Sequence, residues 1–441
     1  MQGTFWTTED PTVRRRGDLD VERGLVVFGD GHLVETMEVL ERTAVTVSCV
    51  PRSLTNLEFT VHGDLDDGTK VTIPHAIVGS YTDQTQEIRF LKVLEGVHAD
   101  AEQRYVSASI DFCAPHNASI STWRLAGVVH APGVGEVTLS CKGSTIEFTD
   151  FRGILETEVE RSLINPLVNL LMLITHEMPK IEHLSMIPMG GTGYERHSVR
   201  EKGSSQNEMS GELSPLASIV PLRYFGIGEI DRWFKVNAAL NPVCAVIGTT
   251  ISSKELTVES RVLHLAASVE AVHREFFRTT ERMTKAEAKE VCSMATDAVP
   301  ESRKSAVREL LSSLQYPTFA ERLKEMLNNV GPMASAIAGE RTSSSSDALL
   351  GRAAWIQAIK QRRNVFAHQK PHTPDNLPTF ADEMFVLFES LQWLLTISLL
   401  NNIGIGLDEI SAEIAEASQF QLFRERSLKI WPSIYGSGCN S

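Results

Sequence analysis

The sequence predicts a multidomain α+β protein, with a β-rich, sandwich-like N-terminal domain at residues 1–225 and an all-α helical bundle at residues 226–441. Two observations predict this division. Apolar residues alternate with polar ones over roughly the first 150 residues, whereas after about Tyr224 they recur at the spacing of an α-helix. The length of 441 residues is also enough for two or three domains, each with its own core.

The N-terminal alternation is clearest around the turn-rich stretch GDLDDG. Phe59 and Val61 point one way before this stretch, and Val71 and Ile73 resume the same alternation after it. Short strands separated by Gly and Asp are typical of an antiparallel sandwich or barrel.

The stretch EVTLSCKGSTIEF repeats this pattern, with alternating residues on both sides of a Lys-Gly-Ser turn. A helix at about 158–175 is expected to follow, and then a strand near 181–187. The segment 190–215 is rich in Gly, Ser and charge, and it is interpreted as a mobile loop.

Three helices of the C-terminal half matter for function. The stretch 255–277 places an apolar stripe on one face. A second helix is expected from near residue 348 to about residue 370, because prolines from Pro371 onward end it. The next helix, 379–403, is apolar on most faces and is therefore expected at the centre of the bundle.

Composition excludes some classes of protein. The net charge of −14 argues against a protein that coats nucleic acid nonspecifically, which needs a broad basic surface. The N-terminus lacks the apolar core of a secretory signal. The apolar runs 163–175 and 384–400 are short or interrupted by polar residues, so both are interpreted as buried helices. We expect a cytoplasmic protein with no membrane partner.

One segment carries a charge opposite in sign to the net charge of the chain. Between residues 348 and 374 there are five basic residues and no Asp or Glu. The five are Arg352, Lys360, Arg362, Arg363 and Lys370. Such a reversal indicates either a solvated helix face or a place where phosphate binds.

Within this segment, Arg363, Asn364 and His368 form the pattern R-N-x-x-x-H. The Walker A, G-x-S-x-G and H-E-x-x-H signatures are missing from the sequence. The pattern resembles the HEPN superfamily, whose ribonuclease members carry R-x4–6-H with a polar residue directly after the Arg. The resemblance implies that Arg363, Asn364 and His368 are the catalytic residues.

A wider resemblance covers nearly the whole chain. The sequence is similar to the ApeA family of bacterial abortive-infection (anti-phage) proteins, in which a β-rich N-terminal domain precedes a C-terminal HEPN domain. The matching stretches, in order, are GDLDVERGLVVFGDG, VHGDLDDGTKVTI, SISTW, IDRWFKV, RVLHLAASVEAVHREFF, RRNVFAH and SLLNNIGI. This resemblance implies an RNA-cleaving effector that is inactive until infection.

The residue types suit RNA cleavage without a metal or other cofactor. His368 can act as general base or acid near neutral pH, and Arg363 offers a permanently charged, bidentate phosphate clamp. Asn364 would hold one of them in position. The expected products carry 2′,3′-cyclic phosphate and 5′-OH ends. An i, i+5 pair is separated by about 140° around a helix, so a second copy of the chain would complete the site. We therefore expect a homodimer or a dimer of dimers.

Other residues are assigned supporting roles. Glu270 is expected to pair with Arg363 and orient it, although a simple surface acid fits the sequence equally well. Lys360, Arg362 and Lys370 are expected to line the RNA path, or else to be ordinary solvated charges. Arg362 also competes with Arg363 as the catalytic arginine, and Arg363 is preferred because Asn follows it directly.

Alternatives remain open from the sequence. Arg363 and His368 could simply solvate and cap a helix end. The domain could be a noncatalytic HEPN module that binds RNA or protein, with the β-domain as a sensor, or the β-domain could bind a carbohydrate or nucleotide while the helices oligomerise. Both residues at a two-fold interface would favour catalysis, and their burial in an intrachain salt bridge would favour the binding module. A phage-derived trigger and a tRNA substrate are further expectations.

Overall fold

The computed structural model forms two compact units, Met1–Ile164 with Pro179–Ala217, and Asn165–Met178 with Ser218–Ser441. The boundary expected at residues 225 and 226 stays a prediction of domain organisation. The structure describes residues 1–29, 31–34, 58–81, 85–96, 98–99, 102–112, 123–190, 197–201, 218–253, 255–277, 282–312, 314–339, 347–367 and 377–435.

The first unit is built on one antiparallel sheet. Its strands in the described residues are β1 (Gln2–Thr7), β2 (Arg15–Asp20), β3 (Leu25–Phe28), β4 (Phe59–Leu65), β5 (Lys70–Tyr81), β6 (Gln86–Arg89), β7 (Lys92–Glu95), β8 (Arg104–Phe112), β9 (Arg124–Ala131), β10 (Gly135–Lys142), β11 (Thr145–Thr149), β12 (Ile154–Leu155), β13 (Ile181–Pro188) and β14 (His197–Glu201). The predicted β-rich N-terminal region is confirmed.

The first six strands close into a barrel. Their hydrogen-bonded order is β4-β1-β2-β3-β6-β5, and β4 also pairs with β5, which completes the circuit. Val61, Val71 and Ile73, taken from the predicted alternation, are fully buried in the core of this barrel. A closed circuit removes sheet edges, so these strands form a barrel rather than two stacked sheets.

The sheet continues beyond the barrel from β5 through β7, β14, β13, β8, β11 and β10 to β9. The strand predicted near 181–187 is β13. The interpretation of 190–215 as one loop is wrong for His197–Glu201, because these residues form β14 between β7 and β13; residues 191–196 and 202–215 lie outside the described residues. The helix expected at 158–175 begins with α1 (Glu156–Val159) and a π-helical turn (Glu160–Ile164).

The second unit is helical, as predicted. Its α-helices in the described residues are α2 (Asn165–Thr175), α3 (Ile227–Ala239), α4 (Val243–Ser252), α5 (Val258–Phe276), α6 (Lys285–Asp297), α7 (Lys304–Leu311), α8 (Phe319–Asn329), α9 (Met333–Ala338), α10 (Asp347–Ala367), α11 (Leu377–Asn402), α12 (Leu407–Glu416), α13 (Ser418–Ile430) and α14 (Pro432–Tyr435). Short 3-10 turns occur at Leu222–Tyr224 and Glu301–Arg303.

Helix α11 is the central element of this unit, as its apolar sequence predicted. It packs against α5 and α13, and every residue from Leu391 to Leu400 is buried. Its segment Phe380–Asn402 is long and apolar enough to cross a membrane, and 83% of its most apolar window is buried inside the protein. The pair α3 and α4 reaches comparable length only if it is counted across a bend of 101°. A buried α11 is what the core of a helical bundle requires.

Candidate active site at the end of helix α10

Helix α10 carries the arginines that the sequence singled out, and buried residues on the same helix orient them. Trp355 and Ile359 are fully buried, and the Trp355 Nε1 donates a hydrogen bond of 2.9 Å to the Ser390 hydroxyl of α11. Arg363 follows Ile359 by four residues and lies on the same helix face, because residues four apart are neighbours on a helix. The stripe that anchors α10 therefore directs Arg363 toward the bundle.

Arg363 has two partners from two other helices. Its guanidinium is ion-paired with the Glu270 carboxylate of α5. The guanidinium carbon also lies 4.8 Å from the ring centroid of Phe319, the first residue of α8. The side chains of Arg363 and Glu270 keep 31% and 25% of their exposure, so the pair is half-buried and open to solvent. An arginine in this setting is oriented yet keeps N–H donors for a ligand.

Glu270 is itself held in place. The buried residues Val262, Leu265 and Val269 fix α5 in the core, and this packing places Glu270 at the edge facing α8. Its main-chain oxygen accepts a hydrogen bond of 3.2 Å from Arg322 Nη1 of α8. The Glu270 main chain is therefore tied to α8 while its carboxylate pairs with Arg363, which is the pairing the sequence led us to expect. Its functional role stays a prediction.

A second contact joins α5 and α8 one turn further along. His273 is buried, and its ring Nε2 lies within hydrogen-bond distance of the Glu325 carboxylate. The imidazole also stacks on the Phe277 ring, with centroids 4.9 Å apart and an interplanar angle of 10°. Because Glu325 and Phe277 both hold this histidine, it serves the packing of α5 against α8.

Arg362 points to a different helix from Arg363. Its Nη2 donates a hydrogen bond of 2.9 Å to Glu383 of α11, and its guanidinium carbon lies 4.5 Å from the Phe380 ring centroid. The side-chain exposures of Arg362 and Glu383 are 21% and 20%. Arg362 and Arg363 thus have the same kinds of partner, one carboxylate and one aromatic ring each.

The remaining predicted residues are placed as follows. Lys360 is exposed on α10, and Asn364 is half-buried beside Arg363. His368 and Lys370 lie outside the described residues. The structure therefore brings Arg363 and Glu270 together, shows no contact of Asn364 with either of them, and leaves the catalytic roles, including that of His368, as predictions.

Phe319, Phe380 and Glu383 were missed by the sequence analysis. A signal existed for Phe319, because Thr318 and Glu321 form a capping box that fixes the start of α8. Phe380 and Glu383 are one turn apart at the start of α11, but their sequence pattern does not identify Arg362 as their partner. Those contacts depend on how α10 and α11 pack.

The helical unit thus carries Arg363 near the end of α10, oriented by Glu270 of α5. Residues 263–409 match the family model described as Apea-like HEPN. The match begins within α5 and ends within α12, so it includes both arginine ion pairs and the position of His368. The C-terminal region of this protein is therefore an ApeA-type HEPN domain, and a nuclease or other RNA-related role is typical of that family. No curated protein and no solved structure matches the chain.

Proposed function

We propose that this protein is a metal-independent endoribonuclease that acts in abortive-infection defence against phage. The observation that carries the proposal is Arg363, which is oriented by Glu270 and Phe319, half-exposed, and placed inside the Apea-like HEPN segment. Arg363, Asn364 and His368 are the proposed catalytic residues.

The proposed reaction uses the 2′-OH of RNA as nucleophile. His368 removes the proton from the 2′-OH or protonates the leaving 5′-oxygen, as general acid–base catalysis requires. Arg363 donates charge-assisted hydrogen bonds to the phosphorane, which carries more negative charge than the starting diester. The products are a 2′,3′-cyclic phosphate and a 5′-OH end. Glu270 acts on Arg363 and is a positioning residue.

A second copy of the chain is part of this proposal. On a continuous helix, residues five apart point about 140° away from each other, so the sequence spacing of Arg363 and His368 predicts that the two converge poorly within one copy. We propose a homodimer, or a dimer of dimers, in which each copy contributes to a shared site. RNA is the proposed partner, tRNA is the leading candidate substrate, and a phage-derived molecule is the proposed trigger.

The direct test is cleavage of total cellular RNA in excess EDTA by the wild type, His368→Ala and Arg363→Ala. We expect cuts with cyclic-phosphate ends from the wild type and a loss of about 100- to 1,000-fold in each variant. Sequencing the ends would identify the RNA. If the wild type cleaves no RNA, phage-infected lysate is added. If cleavage is still absent, the nuclease proposal is wrong.

The matched control is Arg426→Ala. Arg426 of α13 donates a hydrogen bond of 2.6 Å to Glu389, and its guanidinium carbon lies 4.6 Å from the Phe385 ring centroid. The substitution Arg426→Ala therefore removes the same two kinds of contact as Arg363→Ala. Its side chain is 36% exposed, close to the value for Arg363. Cleavage by Arg426→Ala should match the wild type, and an equal loss in both variants would mean that Arg363 is only structural.

A noncatalytic HEPN module that binds RNA or protein is the second candidate. The ion pair between Arg363 and Glu270 favours it, because an intrachain carboxylate already neutralises the proposed phosphate clamp. The exchanged variant Glu270→Arg/Arg363→Glu separates the two candidates. If Arg363 and Glu270 form only a structural pair, the exchanged variant should bind its RNA or protein partner like the wild type. If Arg363 is catalytic, the exchanged variant should not cleave RNA, because glutamate cannot replace arginine at position 363.

A further inference from the structure

A cavity of about 400 Å³ lies within the β-rich unit, beside β4, β5, β7, β8 and α1. Its wall can be traced to the alternation of β5. Val71 and Ile73 point into the barrel core, and Thr72 between them points to the opposite face and lines the cavity. The volume falls within the range of about 300 to 1,000 Å³ that is usual for small-molecule sites.

A β-bulge shapes the mouth of this cavity. Phe59 pairs with Ala76 and Val61 pairs with Ile73, so one residue of β4 faces two residues of β5, Pro74 and His75. Both of these β5 residues line the cavity, and His75 has a φ of 54°. Proline fits a bulge because it has no N–H to give to a sheet ladder. The irregularity opens the sheet where a ligand would enter.

The floor of the cavity is polar and rigid. Thr72, Tyr105 and Glu156 are all buried and line it. A second layer fixes two of them, since the Tyr105 hydroxyl lies 3.0 Å from His197 Nδ1 and the Thr72 hydroxyl accepts a hydrogen bond of 2.8 Å from the Ala99 N–H. Burial raises the pKa of Tyr105, so its phenol stays protonated. Fixed polar groups on an apolar wall are what orient a bound small molecule.

The charge of the cavity is negative. Its described lining includes Glu9, Glu58 and Glu156, with His75 as the single basic side chain, paired to Glu58 at 2.7 Å. The Lys92 Nζ lies 3.0 Å from the Glu156 carboxylate, and it also contacts the Glu160 carboxylate. One lysine therefore faces two carboxylates, and the floor keeps a net negative charge when both are ionised.

We propose that this cavity binds a small organic cation, with its positive group near Glu156 and its apolar body against Phe59 and Leu94. A carboxylate on the floor stabilises a cation more strongly there than in water, because the surrounding side chains lower the local dielectric. A phosphate-bearing or neutral polar ligand gains no comparable interaction. This proposal concerns the β-rich unit alone and does not depend on RNA cleavage.

The test compares matched probes against the full chain by ligand-observed NMR. The probes share one aromatic body: phenethylamine, phenethyl alcohol and hydrocinnamate, supplemented by glucose and AMP. We expect the amine to bind at least about tenfold more tightly than the alcohol, and the carboxylate to bind least. Preferential binding of glucose or AMP, equal binding of amine and alcohol, or no binding of the amine would each overturn the proposal.

Variants locate the binding. Glu156→Gln should weaken amine binding about tenfold, and Glu9→Gln/Glu58→Gln, which changes exposed residues only, about threefold. Glu136→Gln, an exposed carboxylate on β10 that does not line the cavity, is the matched control and should bind like the wild type. If Glu156→Gln fails to fold, the test relies on the Glu9→Gln/Glu58→Gln variant. Unchanged amine binding by that variant would show that the amine binds elsewhere.

Discussion

In the β-rich unit, two glutamates of the α1 region share one lysine, whereas in the helical unit Arg362 and Arg363 of α10 each contact a separate glutamate and a separate aromatic ring. Lys92 faces Glu156 and Glu160, so negative charge is in excess above about pH 7, where both carboxylates are ionised. Arg362 and Arg363 are matched one to one. The first arrangement therefore suits the binding of a cation, as we propose for the cavity. The second holds two cations in a fixed orientation.

The largest expected effect tests the one-to-one arrangement at Arg363. Arg363→Lys keeps the charge but loses the planar fork and the stacking on Phe319. We expect RNA cleavage to fall about 100-fold, measured as the initial rate on the RNA identified above. Arg426→Lys is the control and should cleave normally. Full activity of Arg363→Lys would show that position 363 supplies only charge.

The second prediction concerns the barrel core. A methyl group added at Gly63 would lie 2.5 Å from the Phe5 ring and 2.9 Å from Val71, so Gly63→Ala overpacks the interior. We expect a loss of about 1–3 kcal/mol in the free energy of unfolding of the β-rich unit, read from hydrogen exchange of residues 1–29 and 58–81. Gly29→Ala, where nothing lies within 4 Å, should have no such effect. Equal exchange in the two variants would contradict the tight packing.

A third prediction uses pH to separate the two units. His176 of the helical unit is half-buried near Gln392 and Thr396, and the desolvation of its ring lowers its pKa to about 3. The unfolded chain binds the proton at about pH 6.5, so stability is full above that value and falls as the pH drops toward 3. The protection factor of the α11 amides, which is corrected for the pH dependence of intrinsic exchange, should therefore fall between pH 6.5 and pH 5. His176→Gln should remove most of this dependence, and an unchanged slope in the variant would disprove the assignment.

The smallest expected effect has the opposite sign and lies in the β-rich unit. Burial first, and then the neighbouring Glu156, raise the pKa of Glu160 to about 7. The folded state therefore holds a proton that the unfolded state has released above about pH 4.5, and stability falls as the pH rises from 4.5 to 7. Glu160→Gln should flatten this decline and gain on the order of 1 kcal/mol at pH 8. Glu136→Gln should keep the wild-type slope in the same unfolding measurement.

Much of the fold could be read from the sequence because it depends on local periodicity. The alternation at Phe59, Val61, Val71 and Ile73 identified strands, and the extent of α10 and α11 followed from apolar pattern and prolines. His197–Glu201 was missed because a five-residue strand in a Gly- and Ser-rich segment forms only when β7 and β13 flank it. The sequence also did not determine that the barrel closes, because closure requires β4 to pair with both β1 and β5.

The same division applies to the candidate site. The sequence by itself determined the basic segment, the spacing from Arg363 to His368 and the choice of Glu270 as a possible partner, because these follow from charge, motif and helical period. Only the tertiary structure decided that Phe319 lies against Arg363 and that Glu383 and Phe380 hold Arg362. Their separations along the chain range from 18 to 44 residues. Contacts over such distances arise from how helices pack, and local sequence preference carries no record of that packing.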